Sequence, residues 1–138
     1  MKLYQTFPAH FVSYTPLVTA QLCGVHLENV YVAPESELAK DEAMKTKKAH
    51  WNFPVCETAH GQIISQSVAV AQYIAREAGR TDLYGNTPFE QAQIDQFCCI
   101  AQASIGPHSY KVGLTTLGWI VDPAAHAAAL KDVKEQLK

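Results

Sequence analysis

The segment Asn52-Phe53-Pro54-Val55-Cys56-Glu57, followed by Ser65-Gln66-Ser67-Val68-Ala69-Val70, constrains the fold more than any other stretch. Pro54 has no N–H to give to a sheet ladder, so it belongs at the start of a strand. X-Pro bonds are the common cis peptides, and a cis Phe53–Pro54 bond turns the backbone of Phe53 outward. Ala59-His60-Gly61 turns the chain between strands Val55–Thr58 and Gln62–Ser65, with glycine taking the positive φ. Ser67 reads as the cap of a helix whose N-terminal amides attract a carboxylate. Singly, these are an ordinary strand opener and an ordinary cap. In this order they frame a small-molecule site built largely from backbone atoms.

The flanking sequence supplies a sheet for that unit. Leu3-Tyr4-Gln5-Thr6-Phe7 reads as a strand ended by Pro8. Ser13 or Thr15 caps a helix that runs to Gly24, with Val18, Leu22 and Val25 on one face. Val30-Tyr31-Val32 is β-branched and aromatic, a second strand ended by Pro34. Strand, helix, strand is the crossover unit of a parallel pair. Glu35 to Lys48 is charged and alanine-containing, a short helical or mobile stretch. The helix from Ser67 to about Ala78 carries the stripe Val68, Ala71, Ala75 and Ala78, with Gly79 just past its end. The order β-α-β-α-β-β-α is complete by about residue 80 and is the thioredoxin-like arrangement. The sequence predicts a thioredoxin-like domain over 1–80, a linker over 81–87, and the first two helices of an all-α domain over 88–138.

Thr87-Pro88-Phe89-Glu90 is a strong helix start, with threonine as cap, proline at the first helical position and glutamate at the third. Ile94, Phe97, Cys98, Ala101 and Ile105 then follow helical spacing, and Gly106-Pro107 reads as a stop. His108 to Val121 reads as a loop, unusually apolar at Tyr110, Leu114, Trp119 and Ile120. Asp122-Pro123 opens a last helix with the stripe His126, Leu130, Val133 and Leu137. Two helices alone cannot bury both of their apolar faces. The expectation is therefore a fragment of a larger helical domain, or helices that pack on a partner.

Composition narrows the function classes. Net charge is −2 over 138 residues, with pI near 6.3, so no general electrostatic case for nucleic acid exists. The one basic cluster, Lys45, Lys47 and Lys48, reads as a solvated helix face. No apolar run approaches the roughly 20 residues of a membrane helix, and the N-terminus lacks the shape of a signal peptide. Cys23, Cys56, Cys98 and Cys99 form no C-x-x-C pair, and the six histidines show no i, i+4 pair. A metal site is not expected, and reduced thiols in a cytoplasmic protein are.

These residues resemble the glutathione transferase superfamily. The general likeness covers residues 1 to 80 and rests on Phe53-Pro54-Val55, Gln66-Ser67 and the alanine-rich helix after them. A narrower likeness is to the N-terminal transferase-like domain of the gamma subunits of translation elongation factor 1B. It rests on Tyr4-Gln5-Thr6-Phe7-Pro8, on Leu83-Tyr84-Gly85-Asn86-Thr87-Pro88 with Glu90-Gln91-Ala92-Gln93-Ile94, and on Thr116-Leu117-Gly118. The chain departs from the family in carrying Trp51-Asn52-Phe53 where glycine and lysine usually precede the Val-Pro pair. The resemblance implies a scaffold domain that anchors nucleotide-exchange subunits in translation elongation. Its partners would be the elongation factor 1B exchange subunits, and a homodimer stays open. Two alternatives remain: an active glutathione transferase acting on small electrophiles, and a transferase-like appendage of an aminoacyl-tRNA synthetase.

The resemblance also implies glutathione as ligand or cosubstrate, with no cofactor required. The binding residues it implies are Phe53, Pro54, Gln66 and Ser67, with His50, Trp51 and Asn52 at the glycine end. Conjugation needs a thiolate, and a free thiol of pKa about 8.5 is mostly protonated near neutral pH. Tyr4, His10 and Ser13 are the candidates to stabilise it. Each has a plain structural reading as well: core packing for Tyr4, a loop residue for His10, a helix cap for Ser13.

Overall fold

The computed structural model describes residues 1–6, 11–33 and 53–137. The expected strand end at Phe7-Pro8, the charged stretch Glu35–Lys48, and His10, His50, Trp51 and Asn52 lie outside the described residues. Two compact units are present, Met1–Asn86 and Thr87–Lys138.

In the first unit, β1 (Lys2–Gln5) leads through a 3-10 turn (Phe11–Ser13) into α1 (Tyr14–Cys23) and β2 (Glu28–Tyr31). Further on, β3 (Val55–Glu57), β4 (Ile63–Ser65), α2 (Ser67–Glu77) and the short α3 (Thr81–Tyr84) follow. The strands form one sheet in the order β2-β1-β3-β4. β1 runs parallel to β2, as the crossover spacing requires, and antiparallel to β3, while β3 and β4 make the hairpin. Gly61 turns that hairpin at φ +75°. This is the mixed sheet and helix order of a thioredoxin-like domain.

Alternation along the strands divides the core between the two faces of the sheet. Leu3 and Cys56 point to one face and meet Ala20 of α1 and Val70 and Ile74 of α2. Tyr4 and Val55 point to the other and pack with Val32. The expected stripe of α2 is corrected here. Val70, Ala71, Ile74 and Ala75 are buried, whereas Val68 and Ala78 are only half-buried. Burying Val70 and Ile74 is worth about 1.5–3 kcal/mol each, more than an alanine offers because their side chains remove more apolar area from water, and this favours the observed rotation of the helix. α1 shows a similar shift: Pro16 and Ala20 are buried, while Val18 and Leu22 are about half exposed.

Both helices end as glycine dictates. Gly24 and Gly79 take positive φ, the Val25 N–H donates to the Ala20 carbonyl at 2.9 Å, and the Arg80 N–H donates to the Ala75 carbonyl at 2.9 Å. The stretch expected as a linker contains α3 and is tied to the first unit. Arg80 donates to the Leu22 carbonyl at the end of α1 and to Asp82, and Arg76 lies 3.8 Å from the centre of the Tyr84 ring.

In the second unit, α4 (Pro88–Ile100) starts with the full capping box. The Glu90 N–H donates to the Thr87 hydroxyl at 3.2 Å, and the Thr87 N–H donates to the Glu90 carboxylate at 3.1 Å. Gly106-Pro107 does not stop the helix. A π turn (Ala101–Ile105) carries the chain directly into α5 (Gly106–Thr116), so most of the expected loop is helical. Proline inside a regular helix clashes with the carbonyl four residues back. The wider π turn places Pro107 at the start of a new helical segment, and the Gly106 N–H reaches the Ala101 carbonyl. α6 (Pro123–Gln136) is capped by Asp122, whose carboxylate accepts the Ala125 N–H at 2.9 Å.

Two side-chain ties join α5 to α6: Thr115 Oγ1 with His126 Nδ1 at 2.7 Å, and His108 Nδ1 with Asp132 at 3.3 Å. The expected stripes are partly covered. Ile94, Cys98, Ile105, His126, Leu130 and Val133 are half-buried, but Phe97, Ala101 and Leu137 are exposed. No described helix is long and apolar enough to cross a membrane.

Candidate functional site

Strand register builds one end of the first unit's sheet. Tyr4 pairs with Val55, and Val55 pairs with Ser65. Gln5, Pro54 and Gln66 are the residues next in the chain beyond these pairs, at the same end of the sheet. The strand opener and the helix start therefore lie side by side, although a hairpin separates them in sequence. The Phe53–Pro54 bond is cis. The Phe53 side chain is half-buried and packs against the Tyr4, Val32 and Val55 cluster. Its bulk is thus directed into the core, which resolves how so large a residue stands at this position.

Gln66, rather than Ser67, occupies the cap position of α2; Ser67 is the first helical residue. Gln66 has φ +74° and ψ +122°, the sole positive φ outside glycine among the described residues. Its carbonyl accepts the Val70 N–H at 3.0 Å, which starts the helix, while its exposed side chain makes no capping bond. Such a backbone costs about 1–3 kcal/mol and persists where the surroundings impose it. The result is an exposed amide side chain beside a helix N-terminus that no side chain at the cap position closes. That terminus carries partial positive charge and suits a carboxylate.

The three candidates for thiolate stabilisation fall in different surroundings. The Tyr4 hydroxyl donates to the Glu57 carboxylate at 2.8 Å. Glu57 stands opposite Lys2, so this bond runs away from the Pro54 end of the sheet. Burial, then the Glu57 bond and charge, push the Tyr4 phenol up to about 12. Ser13 precedes α1 and is fully buried; its hydroxyl does not cap the helix and meets no hydrogen-bond partner among the described residues. His10 lies outside the described residues, as do His50, Trp51 and Asn52. The register thus sets Phe53 and Pro54 at the same end of the sheet as Gln66 and Ser67, while the Tyr4 hydroxyl is engaged by Glu57.

Gln5 was not singled out by sequence. It is 2% exposed, follows Tyr4 at the Pro54 end of the sheet, and donates its amide to Asn29 at 3.1 Å. A polar residue in an apolar strand is the signal that marks it. The positive φ of Gln66 had no signal, because glutamine carries no preference for that region. Burial pushes the Cys56 thiol up, and no group of three metal-ligating side chains occurs among the described residues.

No protein-family model matches the chain. It is 32% identical to elongation factor 1-gamma of Artemia salina over 138 residues, which is 99% of this chain and 31% of that protein. It is 34% identical to elongation factor 1-gamma of Drosophila melanogaster over 104 residues, 75% of this chain and 23% of that protein. The chain thus spans less than a third of the length of either relative. Among solved structures, glutathione transferase F2 of Populus trichocarpa superposes with a TM-score of 0.83 at 19% identity, covering 99% of this chain and 66% of the other. A theta-class glutathione S-transferase of Xanthomonas axonopodis pv. citri with glutathione bound gives 0.85 at 18% identity, with the same coverage. The chain thus has the fold of the glutathione transferases and resembles part of elongation factor 1-gamma in sequence.

Proposed function

We propose that the chain acts as the transferase-like scaffold domain of an elongation factor 1B gamma subunit, anchoring nucleotide-exchange subunits during translation elongation in the cytoplasm. The observation that carries this reading is the identity of 32% with an elongation factor 1-gamma along nearly the whole chain. The Tyr4 geometry supports it. A phenol already donating to Glu57 is not placed to stabilise a thiolate at the Pro54 end. Co-purification of the full-length protein with an exchange subunit tests the reading. Stable capture supports it, and loss of capture when the two proteins are co-expressed overturns it.

A second reading is a glutathione-binding or glutathione-conjugating domain. It is favoured by Pro54 and Gln66 flanking the Val55–Ser65 pair and by the start of α2, which no side chain at the cap position closes. Gln66 and the first amides of α2 would hold the γ-glutamyl carboxylate, and the Phe53 backbone would hold the cysteinyl amide. Calorimetric titration with glutathione, paired with turnover of a generic electrophile, separates the readings. Binding without turnover leaves a scaffold with a ligand site, and turnover makes the domain an enzyme.

A further inference from the structure

We draw no further inference here: the strongest candidate, the apolar turn Leu117–Val121 between α5 and α6 with Leu117 60%, Trp119 57% and Val121 90% exposed beside a cavity of about 490 Å³ lined by Thr115, Asp122 and His126, carries nothing because nothing in the structure shows what covers it.

Discussion

The Tyr4 hydroxyl donates to the Glu57 carboxylate at 2.8 Å, across neighbouring strands and diagonal to the backbone register. Burial disfavours the charged phenolate, and the bond to Glu57 and its negative charge add to this, so the phenol is raised from the ordinary 10.0 to about 12. A folded-state pKa raised in this way stabilises the fold fully below pH 10, and that contribution is lost as pH rises from 10 through about 12. Tyr4→Phe is expected to cost about 1–3 kcal/mol at neutral pH, through loss of a bond to a charged acceptor. Phenolate absorbance should show the highest tyrosine titration disappear in the variant. An unchanged titration would assign that step to another tyrosine.

Gln66→Gly separates strain from ligand contact. Glycine enters the positive-φ region without the Cβ penalty, so the stability of the first unit is expected to hold or rise by up to about 1 kcal/mol. Removing the amide side chain is expected to weaken glutathione binding about ten-fold, the equivalent of one hydrogen bond of about 1.4 kcal/mol. Calorimetric titration and denaturant unfolding read the two effects separately. Equal affinity in both proteins would remove Gln66 from the site.

Ile74 is fully buried between the sheet and α1, in contact with the Leu3, Ala20, Cys56 and Val70 cluster. Ile74→Ala leaves a cavity and is expected to cost about 2–5 kcal/mol. Val68→Ala, on a half-buried position of the same helix, is expected to cost less. A denaturant midpoint lowered more by Val68→Ala than by Ile74→Ala would restore the stripe read from sequence.

Gly106 begins α5 where the π turn ends. A Cβ there would stand 3.2 Å from the Ala101 carbonyl oxygen, which already accepts the Gly106 N–H. Alanine ordinarily stabilises a helix interior over glycine by about 1 kcal/mol. Gly106→Ala is expected to show none of that gain, because the crowded oxygen cannot retreat without lengthening its bond. A rise of several degrees in thermal midpoint would mean that the π turn relaxes to a regular helix.

Features set by near neighbours in the chain were legible from sequence. Thr87, Pro88 and Glu90 specify a capping box within four residues, and the structure forms both of its bonds. Gly24, Gly61 and Gly79 mark positions where a side chain would be strained, and each has positive φ. Pro54 opens a strand because it lacks an N–H, and the alternation of Leu3 and Tyr4 sorts them to opposite faces. The family resemblance, carried by short segments, led to the same fold.

Tertiary structure decided what depends on distant atoms. Two apolar stripes run along the helix after Gln66, and only packing against the sheet selects Val70 and Ile74. Gly106-Pro107 has the chemistry of a helix stop, yet the chain passes through one π turn into α5, which meets α6 through Thr115 and His126. Ser67 looks like a cap, but the turn out of β4 gives that position to Gln66 and imposes its positive φ. Tyr4 could have served the site or the core, and the structure packs its ring with Val32 and Val55 and sets its hydroxyl on Glu57, fifty-three residues away. Local chemistry sets which conformations each residue can adopt cheaply, while burial and register between distant segments choose among them.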